Sequence, residues 1–227
     1  MNSPANKQAR SKSKGAAAAP INVVIDLSHH QEVVDFDQIR GAGVIGVIHK
    51  ATQGLTYVDK KYAERRDQAL SKGLLWGAYH FGIGGDGSDQ ADFFLNSVNP
   101  DSKTLLVLDY EPNVTGPTMT LNQAREFVEH VKEIVGRIPG LYSGHLIKEQ
   151  LAGTNTPDPI LSECFLWIAQ YNGPRPLNIP PTFRTWTFWQ YTDGVHGDEP
   201  HTVPGVGQCD RNKFNGTLAQ LRKLWGA

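Results

Sequence analysis

The chain has 227 residues, enough for one large domain or two small ones, and its 39% hydrophobic and 20% charged residues are ordinary for a globular protein. No apolar run approaches the roughly 18 residues that a membrane span requires, so no span is predicted. The formal net charge is −1, but the first 20 residues carry four basic residues and no acidic one. The rest of the chain is therefore net acidic, which argues against a nucleic-acid partner.

The N-terminal segment, MNSPANKQARSKSKGAAAAP, combines positive charge with a short alanine run. A secretory leader needs an apolar core of roughly 7–15 residues, so this segment is not predicted to be one. It is too polar to be buried, and we expect a flexible basic tail over residues 1–20 and one domain over 21–227. A weaker alternative is that the tail contacts anionic polymers of the cell envelope.

Strands and helices are predicted to alternate five times in the first two thirds of the chain. Aliphatic and β-branched runs predict strands, and the amphipathic stretches between them predict helices. The strands are predicted over 22–28, 44–51, 74–82, 104–111 and 140–145, and the helices over 35–43, 59–73, 88–98, 120–136 and 146–152. A capping box, Thr120 with Gln123, marks the start of the fourth helix. This alternation is typical of parallel βα units.

The pattern changes after residue 153. Strands are predicted over 164–171 and 185–194 with no convincing helix between them. Residues 203–214 are predicted to hold at most a short strand, and a helix over 217–226 closes the chain. Eight strand-like segments predict an α/β fold made of a single irregular TIM-like barrel. A doubly wound open sheet is the alternative, but no glycine-rich phosphate loop follows the first strand.

Acidic residues recur where the predicted strands end. Asp26 ends the first strand, Asp109 and Glu111 end the fourth in the sequence TLLVLDYEP, and Asp210 follows the last strand-like stretch. Other residues at or near strand ends are Lys50, Tyr79, His80, Trp189, Gln190 and Tyr191. In a parallel barrel the C-terminal ends of the strands open onto one face, where active sites lie. The four acids are therefore predicted to meet there.

The spacing of Asp109 and Glu111 indicates glycoside hydrolysis. Residues two apart on a strand point to the same side, with Cα atoms about 6–7 Å apart. One carboxyl group would protonate the leaving oxygen, while another would stabilise or attack the anomeric carbon. Neighbouring like charges raise the pKa of one carboxyl group and leave the other low, which gives the two protonation states needed.

Other interpretations of these residues stay open. An acidic pair alone could be a surface strand end or half of a metal site, and His29 and His30 beside Asp26 could suggest a metal-dependent deacetylase, although a further clustered ligand is missing. His80 could be a hydrogen-bonded barrel histidine, and Lys50 an ion-pair partner that keeps a carboxylate ionised.

The two cysteines, Cys164 and Cys209, lack the spacing of a zinc site. We expect free thiols, with a disulfide between them as the alternative if the fold brings them together.

Eight blocks of the sequence resemble, in order, those of glycoside hydrolase family 25, the Chalaropsis-type lysozymes. The blocks are VVIDLSHHQEVVDF, HKATQGLTYVDKKYAERRDQALSKGLLWGAYHF, QADFFL, LLVLDYE, GLYSGH, LWIAQYN, FWQYTDG and VPGVGQCDRNKF. They span residues 21 to about 216. The resemblance implies a (β/α)5(β)3 barrel and an N-acetylmuramidase that cleaves the β-1,4 bond between N-acetylmuramic acid and N-acetylglucosamine in bacterial peptidoglycan. It also implies retention of anomeric configuration and no metal or cofactor.

The resemblance also implies roles for individual residues. Glu111 is the implied general acid/base. Asp109 is the implied nucleophile, or the group that orients the substrate's own acetamido group to act as one. Asp26 and Asp210 complete the acidic cluster. The predicted substrate-binding residues are Tyr79, Lys50, Tyr171 and Gln190, together with the strand aromatics Trp189 and Tyr142.

Two positions depart from the family pattern. The family usually has glutamate in its KATEG block, where this chain has Gln53. Glutamine can keep a hydrogen bond there but cannot carry a charge. His49 stands where the family tends to be aliphatic, and it is predicted to face away from the site.

Two further function classes remain as alternatives: a peptidoglycan-binding module without catalysis, and a metal-dependent deacetylase of the same polymer. We expect a monomer that is made in the cytoplasm without a recognisable signal peptide. It would act on the cell wall after release by a holin or a dedicated export system. The sequence leaves open whether it is a phage endolysin or a bacterial effector or remodelling enzyme.

Overall fold

The computed structural model of the protein describes residues 19–173, 175 and 177–227. In this part of the chain the strands are β1 (Ile21–Leu27), β2 (Gly46–Gln53), β3 (Tyr57–Val58), β4 (Leu75–Phe81), β5 (Leu105–Asp109), β6 (Gly140–Ser143), β7 (Leu166–Ala169), β8 (Phe188–Thr192), β9 (Thr202–Val203), β10 (Gly207–Gln208) and β11 (Asp210–Phe214). The helices are α1 (Phe36–Gly41), α2 (Tyr62–Ser71), α3 (Gly87–Val98), α4 (Leu121–Val135), α5 (His145–Gln150) and α6 (Leu218–Leu224), with a 3-10 turn at Leu161–Glu163.

Eight of these strands close into a barrel. Their order around it is β1, β2, β4, β5, β6, β7, β8 and β11, and β11 pairs back with β1. All neighbours are parallel except β11, which is antiparallel to both β8 and β1. One helix follows each of the first five barrel strands, whereas among the described residues no helix separates β7 from β8 or β8 from β11. The predicted (β/α)5(β)3 barrel is therefore confirmed, and its closure excludes the open-sheet alternative.

The helix boundaries follow from local sequence. Asp35 and Asp86 accept backbone N–H groups at the starts of α1 and α3. Thr120 and Gln123 form the predicted capping box of α4, which ends at Gly136 with a φ of 68°. Side-chain oxygens satisfy the free N–H groups of a first turn, and glycine adopts a positive φ without steric cost.

The interior of the barrel has two halves. The upper half, at the C-terminal ends of the parallel strands, is polar, and the lower half, at their N-terminal ends, is apolar. Val24, Ile48, Val107 and Phe188 are all buried inward-facing residues of the lower half. Trp225, just after α6, closes this end: its ring centroid lies 5.7 Å from that of Phe188, and its indole N–H donates to the carbonyl of Trp76 at 2.9 Å. Apolar side chains therefore fill the barrel below the ends of the parallel strands.

The irregular final third differs from its prediction in one respect that matters for the site. Residues 203–214 hold more than one short strand, because β9, β10 and the five-residue β11 all lie within or overlap this range. Asp210 begins β11, so the prediction that it follows a strand was wrong. Since β11 is antiparallel, its first residue lies at the same end of the barrel as the last residues of the parallel strands.

The remaining sequence predictions concern the tail, membranes and cysteines. The basic tail predicted over 1–20 falls, up to residue 18, outside the described residues, and β1 begins at Ile21. Within the described ranges no helix is long and apolar enough to cross a membrane. Cys164 and Cys209 are both buried and free, as expected.

Trp225→Ala is expected to lower the free energy of unfolding by about 3–5 kcal/mol, because it empties the apolar end of the barrel. Thermal or urea unfolding followed by circular dichroism measures this. Leu218→Ala, at the start of the neighbouring α6, is the control, since Leu218 is 41% exposed and should change stability by less than about 0.5 kcal/mol. Equal stability of both variants would show that Trp225 does not hold this end of the core.

Candidate active site

A cavity of about 220 Å³ opens at the end of the barrel where the parallel strands finish. Its lining residues are Asp26, Tyr79, Asp109, Glu111, Tyr142, Trp167, Tyr171, Gln190 and Asp210. The structure thus brings together all four predicted acids and four of the six predicted substrate-binding residues. Lys50 and Trp189 are not among the lining residues.

The acids reach the cavity from three strands. Asp26 lies two residues after the inward-facing Val24 on β1, and Asp109 lies two residues after the inward-facing Val107 on β5. Both acids therefore point into the barrel. Asp210 is directly opposite Asp26 in the antiparallel β1–β11 pair. Glu111 lies two residues beyond Asp109, just after β5 ends, and lines the same cavity. The predicted common face of Asp109 and Glu111 is therefore present.

Asp26 is the best hydrogen-bonded of the four acids. The Gln190 amide donates to both oxygens of its carboxylate, at 3.1 and 3.0 Å. The Asn212 amide donates to one of them at 2.8 Å. These donors favour the ionised form, while burial raises the pKa of Asp26 to about 6.

Hydrogen bonds behind these two amides fix which way each amide points. The carbonyl oxygen of Gln190 accepts from the hydroxyls of Tyr142 at 2.6 Å and Tyr171 at 2.5 Å. The carbonyl oxygen of Asn212 accepts from the Trp167 indole N–H at 2.7 Å. With both oxygens occupied by donors, both NH₂ groups must face Asp26.

Asp210 lies in a different environment from its partner Asp26. Burial and the neighbouring Asp26 charge raise the pKa of Asp210 to about 9. Because the amides of Gln190 and Asn212 bind Asp26, that carboxyl group ionises first and Asp210 keeps its proton at neutral pH.

Asp109 and Glu111 also differ in their surroundings. Asp109 is buried, and its Oδ1 has no hydrogen-bond partner among the described residues. Burial and the Glu111 charge raise the pKa of Asp109, and the Lys50 charge opposes this. Burial raises the pKa of Glu111 as well, against the charge of His145. Glu111 is half-buried in the cavity wall, which favours a protonated carboxyl group that a ligand can reach.

Lys50 lies beside the cavity rather than in its lining. Its ammonium donates to the side-chain oxygen of Gln53 at 2.7 Å and lies 5.0 Å from the ring centroid of Phe81. Gln53 thus makes a hydrogen bond without neutralising Lys50, and the charge of Lys50 acts on Asp109.

Trp189 does not line the cavity. Gln190 faces inward, and neighbouring residues on a strand point to opposite faces, so Trp189 points outward. Its indole N–H donates to the carbonyl of Gln170 at 2.8 Å, and the Arg175 guanidinium lies 3.8 Å from the ring centroid. The structure therefore gives no support to its predicted contact with substrate.

Sequence reasoning did not single out Trp167 and Asn212 as site residues. Trp167 lines the cavity, and Asn212 binds both Asp26 and Trp167. A signal for Asn212 was available, because it lies two residues after Asp210 and shares its face of a strand.

The histidines occupy structural positions. His80 is fully buried between the hydroxyl of Thr52 at 2.8 Å and the side-chain oxygen of Gln90 at 3.2 Å, as the barrel-histidine alternative predicted. The ring of His29 contacts Asp59 at 3.1 Å. In the described portion of the chain, no group of three or more His, Cys, Asp or Glu residues could hold a metal ion. The donor set required by the deacetylase alternative is therefore missing there.

Residues 25–198 match the family described as Glycosyl hydrolases family 25. The chain belongs to this family. It is 30% identical over 212 residues to Lysozyme M1 of Streptomyces globisporus, covering 88% of this chain and 70% of that protein. The resemblance found in the sequence is thus confirmed, and the protein is a glycoside hydrolase.

Solved structures of lysozymes have the same fold as this chain. The lysozyme of Streptomyces coelicolor superposes with a TM-score of 0.76 at 31% identity, covering 88% of this chain and 94% of that one. A family GH25 lysozyme from Aspergillus fumigatus superposes with a TM-score of 0.74 at 32% identity, covering 91% and 99% of the two chains. The irregular barrel is therefore the fold of this family.

Asn212→Leu is expected to raise the pKa of Asp26 above its value of about 6, by about one unit, because it removes a donor to the ionised carboxylate. Carboxyl ¹³C NMR of the protein over pH 4–8 measures the shift. Asn215→Ala is the control, since the Asn215 amide bonds to Thr185 and Trp186 instead. An Asp26 titration that is the same in Asn212→Leu and the wild type would show that this hydrogen bond does not stabilise the carboxylate.

Proposed function

We propose that this family 25 enzyme is a peptidoglycan muramidase, that is, a lysozyme. It would hydrolyse the β-1,4 bond between N-acetylmuramic acid and N-acetylglucosamine with retention of configuration. The observation that carries this proposal is the pair of carboxyl groups, Asp109 and Glu111, set two residues apart in one cavity but in different surroundings. Its similarity to lysozymes supports the choice of polymer. The site of action would be the bacterial cell wall.

Glu111 is proposed as the general acid/base. Burial raises the pKa of its carboxyl group, so a proton is available for the leaving glycosidic oxygen. Once that oxygen has left as a hydroxyl group, the Glu111 carboxylate can take a proton from the incoming water. The same residue then serves both steps of a retaining reaction.

Asp109 is proposed to act at the anomeric carbon. Burial and the Glu111 charge raise the pKa of Asp109, and the charge of Lys50 opposes this; the Glu111 contribution is absent while Glu111 holds its proton, which leaves Lys50 to favour the ionised form. A buried oxygen without a partner costs free energy, so the free Oδ1 is a natural acceptor for a group that arrives with the substrate. Asp109 would either attack the carbon or accept the acetamido N–H and orient that group for attack. Both routes retain configuration.

The walls of the cavity suit a sugar. Tyr79, Tyr142, Trp167 and Tyr171 are four aromatic residues in its lining. Aromatic rings pack against the apolar faces of pyranoses, and the tyrosine hydroxyl oxygens can accept hydrogen bonds from sugar hydroxyls, while Gln190 holds Tyr142, Tyr171 and Asp26 in place. The proposed binding set is therefore Tyr79, Tyr142, Trp167, Tyr171 and Gln190, with Lys50 acting from the side.

Glu111→Gln is expected to lower kcat on purified peptidoglycan by about 10²–10⁴-fold, because glutamine cannot transfer a proton. The melting temperature and wall binding should stay unchanged. Glu149→Gln, an exposed glutamate of α5, is the matched control and should keep full activity. Normal turnover by Glu111→Gln would show that the general acid is assigned wrongly.

The products identify the bond that is cleaved. After borohydride reduction, mass spectrometry should find reduced muramic acid ends from the wild type only. Reduced glucosamine ends would leave a glycoside hydrolase but contradict the muramidase assignment. No new ends from the wild type on several wall types, with saturable binding, would favour the binding module.

EDTA is expected to leave the rate of release of reducing ends unchanged, because the two carboxyl groups supply both the proton and the charge that the reaction needs. The rate is measured after dialysis against EDTA, with and without added Zn²⁺. A loss of activity that Zn²⁺ restores would favour the metal-dependent alternative instead.

A further inference from the structure

His49 is a fully buried histidine on β2 that the proposed mechanism does not use. Its ring stacks on Trp76, with centroids 5.6 Å apart, and meets Tyr62 edge-on. An aliphatic side chain could fill such a place on the outer face of the barrel. The two ring nitrogens therefore need an explanation of their own, because burying a polar group without a partner is costly.

Both nitrogens have partners that fix the protonation of the ring. Nδ1 lies 2.7 Å from the backbone carbonyl of Lys50, which can only accept, so Nδ1 carries the proton. Nε2 lies 3.2 Å from Nη1 of Arg65, which can only donate, so Nε2 is the unprotonated acceptor. These contacts require the neutral ring.

The His49 ring thus forms a bridge between the Lys50 carbonyl and Arg65. Its contact with the carbonyl supports Lys50. The register of β2 against β4 shifts between Lys50 and Thr52, so the backbone is irregular at this point. The His49 ring holds the Lys50 carbonyl at the irregularity. The Lys50 side chain starts from the same residue, and its charge acts on Asp109.

The other side of the bridge supports the loop after Asp26. Arg65 is buried, and its guanidinium donates to the carbonyl of Ser28 at 2.7 Å and to that of Gln31. Ser28 is only two residues beyond Asp26. His49 is therefore a third acceptor for a guanidinium that holds the segment Ser28–Gln31.

We propose that His49 is a positioning residue of the active site. Its neutral ring joins the Lys50 carbonyl to Arg65, and so holds the irregular part of β2 and the loop Ser28–Gln31 in the places that Lys50 and Asp26 require. Protonation would turn Nε2 into a donor facing a cation, and the bridge would then break.

The groups around the ring keep it neutral except in acid. Burial lowers the pKa of His49 to about 4; Arg65 and His29 act in the same direction, while the Lys50 carbonyl and the Asp59 charge oppose it. The neutral phenol of Tyr62 is also in contact. Between about pH 4 and 6.5 the folded state thus binds fewer protons at this site than the unfolded state. The stability that the neutral His49 ring contributes is therefore lost as the pH falls through this window.

Hydrogen–deuterium exchange of Ser28–Gln31 tests the proposal, together with kcat/KM on peptidoglycan. His49→Phe keeps the stack on Trp76 but loses both hydrogen bonds. Exchange in this loop should become about tenfold faster, and kcat/KM should fall about tenfold. This factor is the one expected for the loss of a hydrogen bond to a charged group. His49→Gln offers one donor and one acceptor, and should restore both values to within about threefold of wild type.

Exchange measurements at low pH, the acid arm of the experiment, separate the effect of the His49 hydrogen bonds from that of its packing. After correction for intrinsic rates, wild type should lose protection of Ser28–Gln31 between pH 7 and 4, whereas His49→Gln should keep it. His80→Gln is the matched control, because burial also lowers the pKa of His80 to about 4 but its partners are Thr52 and Gln90. It should show the wild-type acid response in this loop.

Three results would overturn the proposal: wild-type exchange and kcat/KM in His49→Phe, the same losses in His49→Gln as in His49→Phe, or equal acid responses in wild type and His49→Gln. If His49→Phe does not fold, the acid arm still decides. The kcat/KM arm rests on the proposed muramidase function. Exchange is measured without substrate, so it stands if that function is wrong.

Discussion

The structure depends on the placing of four carboxyl groups, Asp26, Asp109, Glu111 and Asp210, around one cavity. Four ionised groups so close together in a buried place would repel strongly and lose their hydration. The protein separates their environments instead. Burial raises the pKa of all four; the amide donors oppose this at Asp26 and the charge of Lys50 opposes it at Asp109, whereas Asp210 and Glu111 have no such side-chain donor or lysine charge among the causes of their shifts. Acid and base are therefore distinguished by hydrogen bonds and burial rather than by residue type.

Closure of the barrel makes this arrangement possible. The acids come from β1, β5 and β11, and the pairing of β11 with β1 places Asp210 opposite Asp26. A parallel strand in this position would place its last residue beside the cavity, whereas the antiparallel β11 places its first residue, Asp210, there. The apolar lower half, closed by Trp225, supplies burial that can offset the cost of a polar upper half.

Periodicity and strand-end chemistry predicted much of this from sequence. The five βα units and the meeting of the acids follow from alternation and from the common direction of parallel strands. The direction of β11 did not, because a short irregular segment has no periodic signal. The amides that hold Asp26 lie 164 and 186 residues away along the chain, so no local pattern pairs them. Trp189 and Gln190 are neighbours on β8 and point to opposite faces, so only one of them can line the cavity, and the sequence does not show which. The His49 bridge depends on two hydrogen-bond partners that spacing does not reveal.

The proposed chemistry requires Asp109 and Glu111 to act as a retaining pair, and the configuration of the first product reports on this directly. It is read from ¹H NMR of the anomeric protons of products released from a soluble peptidoglycan glycan, recorded before mutarotation equilibrates them. A retaining pair releases the β-anomer first, and this is the expected result. First appearance of the α-anomer would mean inversion, and would contradict the roles proposed for both residues.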